Sequence, residues 1–139
     1  MDARLQVSAR QFVKFAVVGA VGTVVNLAVL KLALLVWEQL STTTPFAVEA
    51  FASSLAFAVA VVNNFLLNRW WTFRSDGPAY QQFGKFLTVS LAGLCLNELV
   101  FWVCRDRIGL DVLLSQLIAI ACVLPFNFVF NKLWSFRGS

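Results

Sequence analysis

The chain has 139 residues, 60% of them apolar and only 13% charged, with a formal net charge of +4 and a mean hydropathy of +0.78. A soluble domain carries about 25% charged and 45–50% apolar residues, so an ordinary water-soluble enzyme is excluded. A spanning helix needs about 20 mostly apolar residues, so four spans use roughly 80 and leave about 60 for loops and ends, while six do not fit.

The expected organisation is one membrane domain over residues 1–139, all-α, with spans at about 12–37, 46–69, 83–104 and 112–133. The polar segment 1–11 leads into an apolar run longer than a signal-peptide core and without a small-residue cleavage site, so it reads as a retained helix. The turn Ser41-Thr42-Thr43-Thr44-Pro45 separates the first two spans. The second closes on Arg69-Trp70-Trp71-Thr72-Phe73-Arg74, whose tryptophans and arginines mark a membrane–water interface. Ser75-Asp76-Gly77-Pro78 is a loop, and Arg105-Asp106-Arg107-Ile108-Gly109 turns the chain between the third and fourth spans. Cys95, Cys104 and Cys122 have no paired spacing and there is no histidine, so neither a disulfide framework nor a zinc site is expected.

Orientation follows from basic residues. Arg4, Arg10, Lys14, Arg69, Arg74, Lys85, Lys132 and Arg137 fall on one side, and Lys31, Arg105 and Arg107 on the other, eight against three. The positive-inside rule then predicts both termini in the cytoplasm.

The chain is also a duplication. Phe12-Val13-Lys14-Phe15 recurs as Phe83-Gly84-Lys85-Phe86, with Gly22 matching Gly93 and Asn26 matching Asn97. Asn64-Phe65-Leu66-Leu67-Asn68-Arg69-Trp70-Trp71-Thr72-Phe73-Arg74 recurs as Asn127-Phe128-Val129-Phe130-Asn131-Lys132-Leu133-Trp134-Ser135-Phe136-Arg137. Each unit holds two spans, so the units enter from the same side. A parallel repeat of two helical hairpins about a pseudo-twofold along the membrane normal is predicted.

Helical spacing gathers polar residues into stripes. Lys14, Val18, Gly22 and Asn26 step by four, as do Lys85, Val89, Gly93 and Asn97. On the even spans Ala52, Ala56, Ala60, Asn64 and Asn68 form one face, and Ser115, Ala119, Val123, Asn127 and Asn131 another. Small residues and amides at such spacing also serve as helix–helix glue. Asn64 and Asn127 sit five residues before Arg69 and Lys132, roughly 7–8 Å of rise, at the edge of the hydrocarbon. With Lys14 and Lys85, the repeat places four cations and four amides at one depth, where lipid phosphates lie. Arg offers a phosphate a planar fork and Lys a point charge, although snorkelling cations also set topology alone.

Asn26, Asn97 and Glu98 form a polar site deeper in the membrane. Glu98 lies thirteen residues after Lys85, about 20 Å into the third span, where an unpaired carboxylate is costly and usually functional; its repeat counterpart is Leu27. Pro125 is expected to kink the fourth span just before Asn127. No histidine, no nucleophile beside a base, no Gly-rich phosphate loop and no acidic cluster is found, so no active site can be assembled, and neither catalysis nor a cofactor or metal is expected. The aromatics are explained by an interfacial belt, so no nucleic acid is expected as a partner.

Lys14-Phe15 and Val18-Gly19 opening the first span, with Asn64-Phe65-x-x-Asn68-Arg69-x-Trp71-Thr72-Phe73 closing the second and both echoed in the second half, resembles the GtrA family of small four-span membrane proteins. In the second half Lys132 replaces the arginine and Leu133 is apolar. The resemblance implies a multi-pass protein of the bacterial inner membrane, in cell-surface polysaccharide glycosylation, that flips a polyprenyl-phosphate-linked (undecaprenyl-phosphate) sugar. It equally accommodates a second role, as a non-transporting membrane anchor of a glycosyltransferase partner. A small multidrug exporter also has four spans and one membrane carboxylate, but the Lys/Arg bias and the carboxylate's place in the third span count against it. Four helices enclose little space, so a homo-oligomer, by base rate a dimer, is expected.

Overall fold

The computed structural model describes residues 2–137, and Met1, Gly138 and Ser139 of the expected single domain lie outside the described residues. The described chain is all-helical: α1 (Ala3–Glu38), α2 (Phe46–Leu67), α3 (Ala79–Trp102) and α4 (Val112–Phe130). α2, α3 and α4 each run on into a π-helical turn, Asn68–Thr72, Val103–Ile108 and Asn131–Ser135. With those turns, all four are long and apolar enough to cross a bilayer.

α1 begins well before the predicted span. Its 36 residues reach roughly 54 Å, far beyond the roughly 30 Å hydrocarbon layer, so its polar first turns project outside it. Asp2 caps that end by accepting from the Arg4 backbone N–H at 3.3 Å, and Asp111 caps α4 by accepting from Leu114 N–H at 2.8 Å. The Arg105 to Ile108 segment, expected as a turn, continues the third helix as its π-helical end; the chain reverses at Gly109, whose φ of 83° suits glycine. α4 continues through Pro125.

α1 packs along α2 and α3 along α4, while the two hairpins touch each other far less. The small-residue faces form the intra-hairpin seams: Ala52, Ala56 and Ala60 are buried, as are Ser115 and Ala119. Each seam repeats one device. A Cβ at Gly22 would collide with the side-chain amide of Asn64, and a Cβ at Gly93 with that of Asn127. Glycine is needed there because the amide occupies the space a side chain would take.

What joins the hairpins is a phenylalanine core. Phe73 and Phe136 stack at 5.0 Å between ring centroids. Around them the contacts come in pairs: Phe65 on Phe136 at 5.9 Å and Phe128 on Phe73 at 6.0 Å, Phe15 on Phe128 and Phe86 on Phe65 both at 5.7 Å. This pairing is the predicted pseudo-twofold, with its axis between Phe73 and Phe136. The parallel arrangement is equally clear, since Lys132 Nζ donates to Ser8 Oγ at 2.7 Å and so brings the start of α1 beside the end of α4. Both described chain ends therefore lie at the same end of the bundle.

Candidate functional site

Between the hairpins lies a cavity of about 520 Å³ that takes a lining from all four helices. A second space of about 300 Å³ shares Gly19, Asn64, Phe86 and Asn127 with it and extends it to Asn26. Together they are lined by six asparagines, Asn26, Asn64, Asn68, Asn97, Asn127 and Asn131, and by no charged residue. Asn68 and Asn131 are each only 1% exposed. The Oδ1 atoms of Asn64, Asn68, Asn127 and Asn131 are buried without a hydrogen-bond partner among the described residues. An unpaired buried polar atom costs about 1–3 kcal/mol, so amides held this way are poised for a partner. An amide both donates and accepts, which is the pattern that sugar hydroxyls satisfy.

Local structure explains how the amides reach this space. Asn64 on α2 and Asn68, the first residue of the π-helical turn, stand one turn apart, and Phe73 N–H donates to Asn68 O at 2.8 Å; Phe136 and Asn131 repeat the bond at 2.8 Å. The i to i+5 closure adds one residue to the turn. It lets Asn68 and Phe73 both point inward, the first to the cavity and the second to the core.

The four predicted cations surround the end that carries both described chain ends, and none of them lines the cavity. Lys14 Nζ lies 5.2 Å over the Trp71 ring and donates to Trp71 O at 3.3 Å, and Lys85 Nζ lies 5.9 Å over Trp134. Arg69 Nη1 donates to Ser75 O at 2.6 Å and to Gln82 Oε1 at 3.2 Å, bracing the loop and the first turn of α3 against α2. Lys132 makes the corresponding reach to α1 at Ser8. Each hairpin thus grips the opening helix of the other.

Glu98 is exposed on the outer surface of α3, outside the cavity. Asn97 Nδ2 donates to its Oε1 at 3.4 Å, and Gln116 Nε2 on α4 donates to Asn97 Oδ1 at 3.3 Å. Asn97 therefore lines the cavity and also bonds the carboxylate, whereas Asn26 lines the cavity and Glu98 lies outside it, so the structure divides the three-residue polar site expected from the sequence. Sequence reasoning missed Gln116, which has Ser53 as its repeat counterpart and so no duplicated signal, and it missed the cavity hydroxyls Thr23 and Ser90. The six core phenylalanines carry a signal in the sequence, since Phe15, Phe65 and Phe73 recur as Phe86, Phe128 and Phe136.

Residues 10–136 match the family described as GtrA/DPMS, transmembrane domain. Over 124 residues the chain is 27% identical to a Pyrococcus furiosus protein named dolichol-phosphate mannosyltransferase, a match covering 88% of this chain and 32% of that protein. The chain thus spans about a third of the length of the curated relative it matches.

Proposed function

The chain belongs to the GtrA/DPMS transmembrane-domain family, and we propose that it is a translocase of a polyprenyl-phosphate-linked sugar for cell-surface glycosylation, a non-enzymatic carrier in the bacterial inner membrane. The observation that carries this reading is the uncharged, asparagine-lined cavity between two weakly joined hairpins. In this reading the amides hold sugar hydroxyls, and the rim formed by Lys14, Lys85, Arg69 and Lys132 draws the lipid phosphate to the cavity mouth. The rim is the cytoplasmic end, because eight of the 11 basic residues lie there. Rocking of one hairpin against the other about the phenylalanine core is the access movement suited to a repeat fold. The relative's name, a dolichol-phosphate mannosyltransferase, agrees with a prenyl-phosphate sugar as cargo.

The test uses proteoliposomes carrying undecaprenyl phosphoglucose, with transfer between leaflets as the readout. Asn68→Ala and Asn131→Ala should each slow transfer at unchanged folding, as should Lys14→Gln with Lys85→Gln. Transfer at the protein-free rate by the unaltered protein would dismiss the translocase.

A second reading has its own support, since the chain matches about a third of a longer protein named as a glycosyl-transferring enzyme. On it the chain anchors a glycosyltransferase, and the rim substitutions would weaken co-purification with that enzyme rather than lipid transfer. In either role a homodimer is expected by base rate.

A further inference from the structure

We infer that the cavity opens sideways to the bilayer between α1 and α4 alone, and that this slot takes the single prenyl chain of the lipid whose head group the asparagines hold. The inference rests on the translocase reading for the identity of that lipid and on the repeat for the position of the slot.

A prenyl chain drawn into the amide-lined interior would leave buried amides without partners, so the chain must stay in the hydrocarbon while the head enters. That requires an opening in the wall. The pseudo-twofold offers two equivalent seams between hairpins, α1 against α4 and α3 against α2. Their sequences differ. α1 presents Ala16, Gly19, Ala20 and Thr23 to the cavity, and the residues of α3 at the same repeat positions are Leu87, Ser90, Leu91 and Leu94. Small residues border the cavity on α1, whereas on α3 Leu87 packs against the phenylalanine core and Leu91 and Leu94 stand on the outer surface, outside both spaces. A Cβ at Gly19 would meet nothing within 4 Å.

Exposure points to the same seam. The exposed residues that line the two joined spaces, among them Ala20, Thr23 and Ile120, all lie on α1 or α4, while every lining residue of α2 and α3 is buried or half-buried. Behind the slot stand Asn68 and Asn131, each 1% exposed and each with an unpartnered Oδ1. A slot bounded by one face of each of two helices admits one chain, which suits a prenyl lipid rather than the paired acyl chains of a phospholipid.

The test uses the full chain in vesicles of phosphatidylethanolamine and phosphatidylglycerol with a diazirine-bearing undecaprenyl phosphate. Light should attach the probe to residues 16–23 and 120–124 and leave 91–94 unlabelled. Filling the slot by Ala20→Phe, or by Gly19→Leu should the first variant not fold, is expected to lower labelling and leaflet transfer of undecaprenyl phosphoglucose by about tenfold. The mirror variant Leu91→Phe should change neither. Equal labelling at both seams, displacement of the probe by added phosphatidylglycerol, or unaltered labelling of the filled variants would overturn the slot. Seam-specific labelling without any transfer by the unaltered protein would instead keep the slot and remove the translocase.

Discussion

At the scale of single residues, four glycines with the same chemistry stand in two different situations. Gly22 and Gly93 lie against the amides of Asn64 and Asn127, whereas a Cβ at Gly19 or Gly84 would meet nothing within 4 Å. Gly22→Ala and Gly93→Ala should therefore each cost about 1–3 kcal/mol by overpacking, and should move an amide out of the cavity. Gly19→Ala and Gly84→Ala should be neutral or slightly stabilising, since alanine is the better helix former. Thermal unfolding of the four variants in one detergent checks the split. Glu98 presents a different contrast, because Asn97, itself bonded by Gln116, is its hydrogen-bond donor while Glu38 lies at the end of α1. Glu98→Gln should impair leaflet transfer more than Glu38→Gln, and equal transfer by the two variants would mark Glu98 as structural only.

The elements that decide the architecture are the π-helical turns. In an α-helical continuation Phe73 would not share a face with Asn68; the i to i+5 bond from Phe73 N–H to Asn68 O brings both inside. Phe73 and Phe136 are 3% and 0% exposed, so Phe73→Ala or Phe136→Ala should cost about 3–5 kcal/mol. A double-variant cycle should reveal coupling, because the two rings stack on each other. Deleting Trp70, which is 65% exposed, shortens the turn by one residue and swings Phe73 off the core. The deletion should therefore destabilise far more than Trp70→Ala, which leaves the turn intact. Similar melting of those two variants would show that the wide turn carries no structural weight.

Across the whole molecule, both described chain ends sit at the rim with the cations, and the interfacial tryptophans divide between the two ends, Trp70, Trp71 and Trp134 against Trp37 and Trp102. Reporter fusions at the C-terminus and at Gly77 should both read as cytoplasmic. A periplasmic signal from both would invert the bundle and move the cation rim to the outer face, whereas opposite signals would break the parallel repeat. The cross-hairpin hydrogen bonds, Arg69 to Gln82 and Lys132 to Ser8, lie at that same end with the phenylalanine core. Separation of the hairpins is thus resisted there and little elsewhere.

Much of this was legible without coordinates, and for identifiable reasons. Span number follows from composition, because lipid leaves a backbone no alternative to the helix. The hairpin duplication and its pseudo-twofold follow from Lys14 recurring as Lys85 and Asn68 as Asn131, since a repeated sequence packs by repeated contacts. The stripes through Asn64 and Asn127 were visible as four-residue steps. Three things were decided only by tertiary packing. Periodicity says which residues share a face, not which face meets which, so the gathering of six asparagines into one space while Lys14 and Lys85 turned onto Trp71 and Trp134 could not be read in advance. The π-helical turns depend on what Phe73 and Phe136 find across the axis, a contact 63 residues apart in the chain. The opening between α1 and α4 arises where the two halves differ, and Ala20 against Leu91 acquires meaning only once the fold sets them on equivalent seams.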